Sequence, residues 1–425
     1  MSNLPKPPKH LLAALMCGNL LEYFDFFIFA HFSFLLAPKF YPSISPVHDA
    51  VISGLFFAIG FLARPLGGYI FGRMADIKGR RKSLMFSVLG MAIPTLCIGL
   101  LPTYPEVGIV APIALIACRI IQGMCMGGEF TNGGILLIES YGWKRAGTVA
   151  GLYNSSAGMG SLLAIACVAI ATRPGMPDWS WRVPFIIAAV LGVIAFYLRS
   201  FVKESQVFKT ENAIHSAQDF KLLSPQHRRF IYRAFCVGAV AGVFIWIPLS
   251  YTSFYMTKVL SIPLHIAAKM TVLAVIAHNI FTAIFGWLSD KVGLQRTMFA
   301  ACITQLICIY PAFILLHEHH FALFQLIMVL PAALAYSVVH PLSSLNVPVL
   351  IRGRVSGFAF SAGLSIFAGL TPLITGTLTQ LMGGSATGVM IYVATTGLLG
   401  GTLLIWLLKE TPAPQNKKAN LRLVA

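Results

Sequence analysis

Apolar residues run along this chain in long blocks, broken by short polar or charged segments, about a dozen times over. Each block reaches roughly 18 residues or more, long enough to cross a bilayer as a helix. The pattern predicts spans at 11–36, 50–73, 83–102, 108–138, 146–172, 182–203, 229–257, 265–289, 296–316, 320–347, 354–381 and 385–409. The longest polar segment, Lys203 to Arg229, separates six spans from six. The expected division is a first bundle at 1–203, a linker at 204–228, and a second bundle with a short tail at 229–425. This is the pattern of an all-α membrane protein with twelve transmembrane helices.

One break is far more charged than the rest. Gly72 to Lys82 reads GRMADIKGRRK and holds five cations, Arg73, Lys78, Arg80, Arg81 and Lys82. It is expected to be a short loop between the second and third helices. A fainter copy, GWLSDKVGLQR, runs from Gly286 to Arg296. Gly72, Asp76 and Gly79 recur as Gly286, Asp290 and Gly293, each 214 positions on, about half of the 425 residues. The chain therefore reads as a duplicated half, giving two pseudo-symmetric six-helix bundles.

Composition agrees: 57% of residues are hydrophobic and mean hydropathy is +0.78, outside the range of a soluble domain. The net charge of +17 raises the question of nucleic acid, which the charge distribution answers. With the termini and alternate loops cytoplasmic, only Lys39, Arg173, Arg182, Lys258 and Lys269 of the 31 Lys and Arg fall on the far side. Arg64 and Arg119 fall inside helices. The basicity orients the chain across the membrane and calls for no nucleic acid partner. Glu22 and Asp25 in the first span argue for a retained helix over a cleaved signal peptide. The eight cysteines lie in spans and show no CxxC spacing, which supports neither disulfides nor a zinc site. His317, Glu318, His319 and His320 fall in a short outer loop and read as a solvated turn. No metal or cofactor is expected, the energy source being a proton gradient.

Two six-helix halves with the same motif after the second helix of each resemble the major facilitator superfamily over essentially the whole chain. GNLLEYFDFF (from Gly18), FLARPLGGYIFGRMADIKGRRKSL (from Phe61), RIIQGMCMGGEF (from Arg119) and WRVPF (from Trp181) look like its metabolite–proton symporter family. That resemblance implies the major facilitator fold and carriage of organic acids, proline or betaine, or shikimate-like compounds. The expected location is the plasma (bacterial inner) membrane, both termini cytoplasmic, with the chain working as a monomer.

Charges inside a membrane helix cost several kcal/mol, which makes them functional candidates. Glu22 and Asp25, three apart, share a helical face and repel one another, as suits a proton carrier. Arg119, at the head of RIIQG, is the simplest partner for Asp25, and that pair would act as a switch. Arg64 either satisfies Glu22 or forks onto a substrate carboxylate. Glu129 either balances Arg64 or takes a proton. In the second half, Tyr251, Tyr255, His278, Asn279, Tyr336 and His340 are the candidates for lining a substrate pocket.

In the loop motif, Gly72 and Gly79 permit tight turns and close contact. Asp76 can cap a helix N-terminus, and Arg80 and Arg81 can reach Glu139. The family resemblance implies that this cluster, with Gly286, Asp290 and Gly293, latches the halves on the cytoplasmic side. Glycine-rich helices five and eleven match each other in position and suit sliding surfaces.

Two departures narrow the reading. Helix five lacks the Gly-Pro element of drug–proton antiporters, and Asn346 stands where the family commonly has an acid. No heptad coiled coil of the osmosensing betaine carriers is present. The expected activity is import of a small carboxylated metabolite, an organic acid or a zwitterion, with a proton. A non-transporting receptor and a metabolite exporter remain alternatives. No nucleophile motif, HExxH or phosphate loop is present, so no enzyme and no catalytic residue are expected.

Overall fold

The computed structural model describes residues 10–42, 46–214 and 227–409. The segment before His10, linker positions 215–226 and the tail after Lys409 lie outside the described residues. Among the described residues twelve helices are long and apolar enough to cross a membrane. They are α1 (Leu11–Ser33), α2 (Gly54–Lys78), α3 (Arg80–Leu100), α4 (Val110–Tyr141), α5 (Trp143–Ala171) and α6 (Arg182–Ser200) in the first half. The second half has α7 (Arg228–Lys258), α8 (His265–Val292), α9 (Leu294–His317), α10 (Phe321–Ser344), α11 (Val349–Leu381) and α12 (Thr387–Leu404). In lipid a helix satisfies its own backbone polar groups, which is why apolar blocks of this length all become helices.

The duplication read from the motif is carried by the packing. Within the first half α1 packs on α5, α2 on α4 and α3 on α6. Six spans later α7 packs on α11, α8 on α10 and α9 on α12. Between the halves the main contacts are α2 with α11 and α5 with α8, again related by the same exchange.

The structure corrects the expected loop. α2 continues through Lys78 and α3 begins at Arg80, leaving only Gly79 between them. Gly79 has φ +98° and its counterpart Gly293 has φ +109°, a backbone shape that L side chains adopt only under strain. The charged motif residues therefore ride on rigid helix ends. In α7 the missing N–H of Pro248 accompanies a π-turn at Ile247–Tyr251, where Thr252 Oγ1 donates to the Ile247 carbonyl (2.9 Å).

The seam between α2 and α4 is backbone on backbone. A Cβ on Gly67 would collide with the backbone of Met124, one on Gly123 with the Gly60 carbonyl, and one on Gly127 with the Arg64 carbonyl. This close approach sets the position of Arg64 against α4. Gly67→Val is expected to lower the thermal midpoint of the detergent-purified protein by several degrees, from an overpacking cost of about 1–3 kcal/mol. Gly54→Val, at a position with open space around it, should leave the midpoint where it was.

Candidate functional site

Glu22, Asp25, Arg64, Arg119 and Glu129 are all buried, each at most 6% exposed. Their partners differ from those expected in two places. No ion pair joins Arg119 to Asp25. Gln122, three residues on from Arg119 and on the same face of α4, stands between them. Arg119 Nη1 donates to Gln122 Oε1 (2.9 Å), and Gln122 Nε2 donates to Thr95 Oγ1 (2.7 Å) and Asp25 Oδ1 (3.4 Å). Thr95 Oγ1 donates to Asp25 Oδ2 at 2.5 Å. Arg119 meanwhile lies over Phe29, 4.0 Å from the ring centre, and its Nη2 has no hydrogen-bond partner. Asp25 and Arg119 are thus linked through an amide. The clue in the sequence was the lone polar residue of RIIQG.

The second correction concerns Glu129. Its ion-pair partner is Arg199 of α6, not Arg64. Ser87 Oγ adds a hydrogen bond to Glu129 Oε2 (3.0 Å), and Arg199 Nη1 donates to the Leu84 carbonyl (3.1 Å). Position alone put Arg199 at the membrane surface, because it ends its span. It turns inward because Gly18 has no side chain: a Cβ there would sit 2.6 Å from Arg199 Nε. Glu22 stands within hydrogen-bonding reach of Glu129, and neither Glu22 oxygen receives a hydrogen bond from a described donor.

Arg64 faces the second half. Its guanidinium lies over Phe61 (4.7 Å) and Phe26 (5.4 Å), with the Tyr23 hydroxyl in hydrogen-bonding reach. No described carboxylate lies within ion-pairing distance of it. Tyr336 of α10 enters the same neighbourhood, and Trp246 of α7 meets Phe61 at 5.9 Å. The His278 ring stands edge-on to Tyr336 at 5.4 Å. Arg64, Tyr336 and His278 are therefore brought together across the two halves, joined by Tyr23 and the aromatic rings.

Four other candidates are placed elsewhere. The Tyr251 hydroxyl pairs with Thr379 (3.0 Å) and that of Tyr255 with His317 (3.2 Å), both inside the second bundle. Asn279 lies against Gly158 of α5, where Ser155 Oγ donates to the Asn279 carbonyl (2.7 Å). His340 Nε2 meets Asn154 Oδ1 (2.9 Å), with its ring 4.4 Å from that of Phe130. Asn279 and His340 thus close seams between the halves.

The two aspartates of the repeated motif make reciprocal clamps. Asp76 of α2 accepts from the backbone N–H groups of Gly353 (2.8 Å) and Arg354 (3.0 Å) in the second turn of α11. Arg80 Nη1 (3.2 Å) and Arg354 Nε (3.0 Å) complete its shell. Asp290 of α8 accepts from the N–H groups of Gly147 (2.7 Å) and Thr148 (2.9 Å) at the start of α5, and from Thr148 Oγ1 (2.5 Å). Each motif aspartate thereby holds backbone N–H groups near the start of a helix of the other half, Asp290 as a cap and Asp76 one turn further in. Gly72 faces Gly353, and Gly286 faces Gly147 and Gly151, so backbones meet directly at both clamps.

Glu139 is shared by Arg80 (3.3 Å) of its own half and Arg352 (2.8 Å) of the other, while Ser205 Oγ donates to it (2.7 Å). The Phe208 ring, on the short linker helix Gln206–Ile214, covers Arg80 at 5.0 Å. Arg81 turns away, its backbone N–H meeting Glu204 (3.0 Å) and its guanidinium the Ser200 carbonyl.

Known proteins bear out this architecture. The sugar (and other) transporter family matches residues 11–228, and the Major Facilitator Superfamily matches residues 250–423. A proline/betaine transporter of Escherichia coli (strain K12) is 30% identical over 436 aligned positions, covering 95% of this chain and 84% of the relative. The chain belongs to the major facilitator superfamily. A glycine betaine/proline/ectoine/pipecolic acid transporter of Dickeya dadantii is 28% identical, covering 95% of this chain and 83% of the relative. The proton:xylose symporter XylE, solved with 6-bromo-6-deoxy-D-glucose, superposes with a TM-score of 0.77 at 18% identity, covering 95% of both chains. The protein is a multi-pass membrane transporter and not an enzyme.

Proposed function

We propose that this transporter imports a small zwitterionic or anionic carboxylate together with a proton, by alternating access. The observation that carries the reading is Arg64, a buried guanidinium between the two halves with no described carboxylate in ion-pairing range. A solute carboxylate would fork onto Arg64. Phe26, Phe61, Trp246, Tyr23 and Tyr336 around it supply ring faces suited to a cationic ammonium. Proline and betaine, named for the relatives above, carry both groups. Asp25 is the proton site: a proton there changes the charge that Arg119 sees through Gln122. In this reading the motif end of the bundle, rich in cations, is the cytoplasmic side, and both termini lie on that side. The latch is then closed towards the cytoplasm. The monomer is the working unit.

The test is uptake of radiolabelled proline and glycine betaine into proteoliposomes, acidic outside, with and without a protonophore. Uptake that survives the protonophore, or binding of these solutes without any uptake, overturns the reading. Asp25→Asn is expected to keep solute binding by thermal shift and to lose gradient-driven accumulation. Arg64→Gln is expected to weaken binding by about ten- to a hundredfold, the worth of a charge-assisted hydrogen bond.

A further inference from the structure

A small cavity lies within the first half, between α1, α3, α4 and α6. Three carboxylates line it, Glu22, Asp25 and Glu129; the remaining lining is apolar or glycine. Neither Arg64 nor any residue of the second half contributes to its wall. We propose that Glu22 and Glu129, with Arg199 as their counterion, form a second proton-holding site that exchanges with Asp25 through this cavity. The proposal rests on proton coupling at Asp25 and adds a place where the proton waits outside the solute site.

Charge and hydrogen bonding carry the argument. Glu129 is matched by Arg199 and Ser87, so its charge is already balanced. Glu22 is the surplus acid. Both its oxygens lie buried without a described donor, and the Glu129 carboxyl is within hydrogen-bonding reach. As an anion it would leave an unmatched charge inside the membrane. With a proton it becomes an O–H donor, and Glu129 is the acceptor within reach. One proton thus neutralises the trio and supplies the missing hydrogen bond.

The titratable groups facing this site come from five of the helices around it. They are Tyr23 and Asp25 of α1, Arg64 of α2, Cys125 and Glu129 of α4, Tyr153 of α5 and Arg199 of α6. Asp25 is three residues from Glu22 on the same helix face, and both open onto one small cavity with room for about one ordered water between its carboxyl groups. Transfer moves a single proton from the Glu22 carboxyl through water to the Asp25 carboxylate. No other bond changes. Glu22 is then an anion beside Glu129, and Arg199 is the cation that bears on both.

The experiment separates net proton movement from solute exchange. Glutamine at position 22 keeps the shape and offers an N–H donor to Glu129, but it cannot release a proton. Glu22→Gln in proteoliposomes is expected to exchange solute at close to the wild-type rate when no gradient is applied. Its gradient-driven accumulation should fall at least about tenfold and lose its pH dependence, the scale of losing one proton-transfer group. Glu22→Asp, which keeps the carboxyl, should restore part of the accumulation. If Glu22→Gln accumulates normally while Asp25→Asn does not, the second site is overturned and coupling at Asp25 stands. If neither variant changes accumulation, the coupling reading falls as well. Loss of exchange in a normally melting Glu22→Gln would make Glu22 part of the solute site and overturn the proposal. Should Glu22→Gln fail to fold, infrared pH-difference spectra of Asp25→Asn must still show a buried protonated carboxyl; its absence overturns the proposal.

Discussion

Asp76→Ala is expected to open the motif end of the bundle and to cut transport at least about a hundredfold. The Asp76 carboxylate takes two backbone N–H groups of α11 and two arginines, all buried. Alanine leaves Arg80 short of one partner and takes the acceptor from two N–H groups of α11. Breaking a buried ion pair costs about 3–5 kcal/mol, and each 1.4 kcal/mol is tenfold in a population. The bonds from Asp76 to α11 exist only while the halves are clamped here, so much of that cost falls on the clamped state. Spin labels at Lys82→Cys and Lys291→Cys, exposed ends of the two halves, should report a longer distance in Asp76→Ala. Asp290→Ala should shift the same distance in the same direction, because its clamp on α5 is the counterpart. Unchanged distances and unimpaired transport in both variants would remove the latch.

The second large effect is on stability. Arg199→Leu is expected to destabilise the folded protein by about 3–5 kcal/mol, since it strands Glu129 next to Glu22 in a buried space. Arg199→Leu combined with Glu129→Leu removes both charges and should recover much of that loss. A thermal-unfolding double-mutant cycle measures the coupling. Additive losses would show that the two side chains do not interact. The same cycle on Arg64 and Glu129 should be close to additive, because Arg64 is not the partner of that acid.

Much of the architecture was legible because the membrane leaves few choices. Apolar blocks of span length must become helices, and the 214-residue echo of Gly72, Asp76 and Gly79 exposed the duplication. Asp76, expected to cap a helix N-terminus, instead takes the N–H groups of the fifth and sixth residues of α11. The expected loop was not borne out, because a dense charge run looks like a break in hydropathy. In the structure Arg73 to Lys78 stay helical and one glycine makes the turn. Tyr251 and Tyr255 had the right residue type for a pocket, but their hydroxyls are taken up by Thr379 and His317 inside one bundle.

The chain by itself determined twelve spans, two halves, the side rich in cations and the set of acids and arginines that must be buried. Tertiary structure decided which of them meet. Glu129 found Arg199, 70 positions away, because Gly18 left room for the guanidinium. Gln122 came between Arg119 and Asp25 because α4 turns it onto the same face. Arg64 was left facing the second half, with rings around it and no described acid in ion-pairing distance. Helix formation and membrane insertion depend on local composition, which a sequence displays directly. Pairing of buried charges depends on how closely backbones approach, and that is set jointly by residues far apart in the chain.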